Sequence, residues 1–202
     1  MFIGVSVVPG ISENIGKISN LKDENVFEND DLGPYRAQGA ISTYERNAWS
    51  ETEVVSTEST DDSYFPSLAA DQDGNVHVAW LDFTDYGGSG SDTDIFYKYK
   101  PSGGSWSDTE VVSTESTDNA LYSSLDVDSE GMVHVVWEEY DIPSHYVGVF
   151  YKNKPSGGSW TTAEVIPLET PDLHYFYPII GVDLFGAVHL VWTDNASTGG
   201  SG

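Results

Sequence analysis

The chain contains no cysteine, so disulfides, thiolate metal sites and cysteine nucleophiles are excluded together, and the fold must be held by packing and hydrogen bonds. Basic residues are scarce: 8 Lys and Arg stand against 33 Asp and Glu, a formal charge of −25. Such a field repels phosphate backbones and anionic headgroups, which removes nucleic acid from the expected partners and leaves a solvated acidic surface or cation binding. No run approaches the roughly 20 apolar residues of a membrane span, and long amphipathic helical patterns are missing too. With 20 glycines in 202 residues, 13% aromatics and only 20% charged residues, the composition is that of a turn-rich all-β protein.

Repetition is what the sequence has in plenty. Trp49, Trp106 and Trp160 each open a W-[ST]-x-x-E-V-[VI] segment, at spacings of 57 and 54 residues. A second motif recurs as DQDGNVHVAW at 71–80, DSEGMVHVVW at 128–137 and DLFGAVHLVW at 183–192. Each unit reads as four strands, which in the first complete copy cover 67–71, 75–83, 94–100 and 106–113. The 71–74 link is a tight hairpin turn in which Gly74 takes positive φ, and PSGGS at 101–105 and 155–159 forms a second hairpin loop. In the second strand Val76, Val78 and Trp80 alternate with His77, Ala79 and Leu81, so both faces of the sheet require cover. Four-stranded antiparallel repeats that need neighbours on both faces predict β-propeller blades.

Residues 1–33 read as leader and linker: MFIGVSVVP at 1–9 is the tail of a signal peptide or a stray apolar leader, since it lacks a basic start. Residues 34–202 read as a partial propeller. Within it, 40–44 and 49–56 look like a third and fourth strand without their own first two, and the third unit stops where its third strand is due. A pair from one end completing the other makes three blades, whereas propellers have about 4 to 8. Either copies self-associate or the missing blades belong to a longer protein, and an unclosed piece exposes apolar faces and strand edges.

FYKYKPSGGSW at 96–106 and FYKNKPSGGSW at 150–160 resemble degenerate Asp-box hairpins, and YFPSL at 64–68 followed by D-x-x-G-x-V-H-V resembles the opening of a sialidase-type blade. The resemblance, to the sialidase-like BNR propeller superfamily, covers about 40–202 and implies a six-bladed ring. Departures accompany it. Gly103 with Trp106 and Gly157 with Trp160 are kept, but Pro101 and Pro155 stand where the box has Asp. Sialidases bind the substrate carboxylate with three arginines; here only Arg36 and Arg46 are present, and Phe65 stands near the place of the F-R-I-P arginine. No catalytic sialidase site is expected in these units.

His77, His134 and His189 share one repeat position and are expected to be core histidines bonded to backbone or a neighbouring blade, since equivalent positions in a ring are held apart. Asp71 and Asp73 sit in a D-x-D-G turn that resembles part of a calcium loop, but the third copy keeps only Asp183; an ordinary turn is favoured, no cofactor is expected, and Ca²⁺ remains the one metal considered. Acids follow the repeat tryptophan by two at Asp82, Glu139 and Asp194. The loops beyond them, 83–93 and 140–146, vary while the scaffold does not, and Tyr86, Tyr140, His145, Tyr146, His174 and Tyr175 bring aromatic surface to that rim. Glycan or protein ligands are the partners expected there. Asn195-Ala-Ser197 is a lone glycosylation sequon.

The expected function is a non-catalytic propeller scaffold or binding module of a secreted or cell-surface protein. The competing readings are a fragment of a sialidase-like glycoside hydrolase whose catalytic residues lie in other blades, and a lectin with one weak sugar site per blade.

Overall fold

The computed structural model describes residues 4–5, 50–140, 148–167 and 177–193. The chain divides into two compact units, one of residues 5–53 and one of residues 1–4 with 54–202. Two short strands, β1 (Gly4–Val5) and β2 (Glu53–Val54), precede in sequence a succession of antiparallel sheets in the larger unit. β3 (Ser63–Ala70), β4 (Val76–Asp82), β5 (Asp94–Lys100) and β6 (Glu110–Val111) form one four-stranded sheet in chain order. β7 (Asn119–Val127), β8 (Val133–Tyr140), β9 (Gly148–Lys154) and β10 (Glu164–Ile166) form a second with the same order, and β11 (Ile179–Val182) pairs with β12 (Val188–Val191). Among the described residues the architecture is all-β.

The hairpin turns follow from the D-x-x-G motif. Gly74, Gly131 and Gly186 hold φ of 80°, 78° and 80°, a region other residues enter only at a steric cost. In each turn the aspartate carboxylate caps the following amides. Asp71 Oδ1 accepts from Asp73 N at 3.0 Å and Asn75 N at 2.8 Å, and Asp128 and Asp183 repeat the pattern. This is the Asx-turn chemistry that makes Asp favoured at such positions.

β4 and β8 are buried nearly along their length, as their two-faced apolar pattern requires. Ala79, Leu81, Ile95 and Tyr97 of the first sheet, with Val112, pack against Ala120, Leu125, Val133, Val135 and Trp137 of the second. The opposite face of the second sheet, with Val136, Tyr151 and Ile166, meets Ile180, Val188 and Leu190 of β11 and β12. Successive sheets therefore stack face to face. Their first strands lie side by side but are joined by side chains: Leu125 N donates to Ser67 Oγ (3.0 Å), Ile180 N to Ser124 Oγ (3.2 Å) and Val182 N to Asp126 Oδ2 (2.7 Å).

Two expectations shift. The first strand begins at Ser63 rather than 67, because a register break between Tyr64 and Ser67 lets the chain pair on both sides of a bulge. The fourth strand shrinks to Glu110–Val111, because Ser107 folds back onto Tyr99, its amide donating to the Tyr99 carbonyl at 2.9 Å. The leader and linker at 1–33, apart from β1, and the strand expected at 40–44 lie outside the described residues; of the strand expected at 49–56, residues 50–56 are described and hold β2.

Candidate functional site

The bulges in β3 and β7, and the residue two places before β11, present an aromatic side chain. Phe65, Tyr122 and Tyr177 are the described non-glycine residues at positive φ (51°, 48° and 44°), and they occupy one repeat position. Register breaks flank the first two, between Tyr64 and Ser67 and between Leu121 and Ser124. Left-handed backbone in a bulky residue costs about 1–3 kcal/mol and persists only where its surroundings impose it.

Because β3, β7 and β11 lie side by side, the three rings form one row. Phe65 and Tyr122 are 4.9 Å apart between centroids, Tyr122 and Tyr177 4.5 Å, each pair tilted by about 55°, within the range of favourable ring contacts. Phe65 remains 53% and Tyr177 46% exposed. The row lines an open groove of about 320 Å³, together with Pro66, Pro178, Ser67, Ser123 and Ser124. Ser123 Oγ is buried with no hydrogen-bond partner among the described residues, which is costly unless a ligand or solvent hydroxyl meets it. The arrangement offers apolar faces with hydroxyls beneath, and suits a ligand that has both.

The acids at the end of the second strand are placed differently from a rim ligand set. Asp82 is fully buried and accepts from Trp80 Nε1 (2.8 Å), Ser63 Oγ (2.7 Å), Thr84 N (2.9 Å) and Ser59 Oγ. Glu139 is buried as well and accepts from Trp137 Nε1 at 3.1 Å. Burial pushes its carboxyl above the ordinary value despite hydrogen bonds from Trp137 and Ser116. Both oxyanions are thus engaged in fixing the repeat tryptophan. Tyr86 rests edge-on against Phe96 at 5.7 Å beside a recess of about 200 Å³, and Tyr140 is half-buried at the end of β8. Asp194, His145, Tyr146, His174 and Tyr175 lie outside the described residues.

Asp71 is committed to its turn and to His77, and Asp73 is exposed; among the described residues no three acids or histidines gather as a metal site would need. His77 and His134 accept or donate at Nδ1 with Tyr97 and Tyr151 hydroxyls, both at 2.7 Å, and face Asp71 and Asp128 at 3.6 and 3.5 Å. Their partners are therefore a tyrosine and an aspartate of the same sheet rather than backbone or a neighbouring unit. Burial keeps the His77 imidazole below its ordinary value, although Asp71 pulls the other way.

Sequence reasoning missed two buried lysines. Lys98 and Lys152 are 1% exposed. Lys152 Nζ donates to Val112 O (2.7 Å), Thr114 Oγ1 (2.9 Å) and Glu115; Lys98 does the same with Thr57 Oγ1 (2.8 Å) and Glu58. Each lysine clasps a Val-Ser-Thr-Glu segment, and Lys152 in this way ties the second sheet to the first. The signal was present: FYK at 96–98 and 150–152 and VSTE at 55–58 and 112–115 each occur twice, one repeat length apart.

These pairs make stability depend on acid. Burial alone raises the Glu58 and Glu115 carboxyls, but hydrogen bonds and charge from the lysines outweigh it and leave both below the ordinary 4.5. Burial likewise raises Asp71 and Asp128, and their turn hydrogen bonds bring them below 3.8. A lowered folded value adds stability above the unfolded value and loses it as pH falls through the folded one. Glu139 and Asp94, both raised by burial, act oppositely and stabilise as pH falls through their folded values. The unfolding midpoint should therefore hold on moderate acidification and drop once the pH falls below the ordinary carboxylate range of about 4; a pH series by circular dichroism that shows no loss in strong acid would contradict these assignments.

Among solved structures the chain is similar to an endo-arabinase from Bacteroides thetaiotaomicron VPI-5482, at 15% identity and a TM-score of 0.46 over 68% of this chain and 53% of that one. It is also similar to a protein of unknown function from Dyadobacter fermentans DSM 18053, at 12% identity and a TM-score of 0.46 over 68% of this chain and 52% of that one. The chain spans about half the length of these two structures. No family model and no curated protein sequence matches it, so the sialidase-type resemblance is carried by the motifs alone.

Proposed function

We propose that the chain is part of a β-propeller in an exported or surface protein, and that it binds carbohydrate through the aromatic row without cleaving it. The observation that carries this reading is the groove of Phe65, Tyr122 and Tyr177, three strained aromatic positions kept in register over three units. A structural strand would take glycine or an unstrained residue there; strain retained at equivalent places is characteristic of ligand sites. Sugar rings present C–H faces that pack on aromatic surface and hydroxyls that can bond to polar groups of the groove lining. The described lining of the groove carries no carboxylate, whereas glycosidases generally flank the scissile bond with two. Blade-by-blade stacking and the −25 charge support the propeller and the exported setting. A hydrolase whose catalytic blades lie elsewhere stays the alternative.

Calorimetric titration with a panel of oligosaccharides tests this. At least one should bind without being hydrolysed, and Phe65→Ala combined with Tyr177→Ala should weaken it about tenfold or more while leaving the circular dichroism spectrum unchanged. Equal affinity for the double variant, or a panel with no binder, would reject the reading.

A further inference from the structure

The three D-x-x-G turns share one conformation and differ at their tips. In each, the glycine amide donates to the aspartate carbonyl, Gly74 to Asp71 and Gly131 to Asp128 at 3.1 Å and Gly186 to Asp183 at 3.0 Å. The aspartate carboxylate caps the amides beyond it. This closure uses the backbone and the aspartate, so the two side chains at the tip are free to vary. They are Gln72 and Asp73 in the first unit, Ser129 and Glu130 in the second, and Leu184 and Phe185 in the third. Leu184 is 81% and Phe185 97% exposed. The pair therefore adds nothing to a core, and the turn forms without it in the other two units.

A neighbouring sheet does not cover this position. The second unit has a sheet stacked on either face, and its tip pair, Ser129 and Glu130, stays exposed, as Gln72 and Asp73 do in the first. The turns follow the C-terminal ends of β3, β7 and β11, away from Phe65, Tyr122 and Tyr177. They converge on a small recess of about 70 Å³ bordered by Asp71, Asp128, Asp183 and Leu184. Asp73 and Glu130 stand exposed at the adjoining tips, and residues 71–75, 128–132 and 183–187 contain no Lys or Arg. A bare aromatic beside a leucine, bordered by acids, has the make-up of a contact surface: the apolar pair anchors, and the acids select a partner of opposite sign.

We infer that the Leu184 and Phe185 tip is a docking point for a basic amphipathic segment of a partner protein. The two side chains seat on the apolar stripe of that segment, and Lys or Arg along the borders of the stripe meet Asp73 and Glu130. The site is separate from the aromatic row and does not depend on what that row binds.

The probe is a fluorescein-labelled helical peptide of leucine and lysine with one apolar stripe, titrated against the full chain by fluorescence anisotropy in about 0.15 M salt. The comparison is Leu184→Ser with Phe185→Glu, which writes the second unit's turn into the third; an unchanged circular dichroism spectrum and melting temperature establish that it folds. This variant is more negative than the unaltered chain, so attraction by charge alone would tighten its hold on the peptide. The inference predicts the reverse, a loss of about tenfold or more. Asp73→Asn with Glu130→Gln should weaken capture several-fold, and that loss should shrink as salt is raised. Equal or tighter binding by the tip variant would overturn the inference. So would an unaltered chain that ignores the peptide, and if it then partitions onto neutral phosphatidylcholine vesicles the tip serves a bilayer instead.

Discussion

Trp137→Ala should cost about 3–5 kcal/mol of unfolding free energy, the range for truncating a large buried aromatic that leaves a cavity. Trp137 is 1% exposed in the core shared by the first two sheets, flanked by Phe150, so its removal opens space that neither sheet can fill alone. It also strips Glu139 of the indole donor that helps offset its burial, and a buried carboxyl with one donor fewer adds its own cost. The same truncation at the repeat-equivalent Trp192, 40% exposed, should cost much less. Urea unfolding of both variants checks this; equal losses would mean that the two tryptophans have the same environment, against the stacking described above.

Glu58→Ala should cost about 1–3 kcal/mol, because it leaves the buried Lys98 ammonium without its charged partner. The Lys98 ammonium lies in packed interior with its side chain 2% exposed, and Thr57 Oγ1 would be its remaining described partner. Lys98→Met should cost less than Glu58→Ala: a chain of similar volume keeps the packing, while Glu58, a third exposed, can rehydrate. Glu115→Ala should also be milder, since Lys152 retains the Val112 carbonyl and Thr114. Reversal of this order in denaturant titrations would show that the lysines contribute through their hydrocarbon stems rather than their charge.

Much of the scaffold could be read before any coordinates. Period-two alternation in residues 76–81 required cover on both faces, and β4 has it; Gly74, Gly131 and Gly186 marked the turns at positive φ where they occur. The local pattern failed where conformation depends on neighbours. Nothing in the chemistry of Phe65, Tyr122 or Tyr177 favours left-handed backbone; the bulges arise from how each first strand meets the next sheet, through bonds such as Leu125 N to Ser67 Oγ. The aromatic row was therefore invisible, and attention fell on acids and loops at the strand ends. Asp82 and Glu139 gave a local hint, since an acid two residues after a buried tryptophan can accept its indole N–H. Lys98 and Lys152 defied the expectation that lysine stays at the surface, and only their co-recurrence with Val-Ser-Thr-Glu marked them as paired.

All of this requires that the first strands of successive units stand next to one another, so that equivalent residues become neighbours. A chain without cysteine allows that to be measured cleanly, with spin labels attached to cysteines placed at 65 and 122. Rings that touch in the native protein place these labels close together, and the doubly labelled chain should show strong dipolar broadening that vanishes in denaturant. A spectrum equal to the sum of the two singly labelled proteins would contradict the stacking of the units.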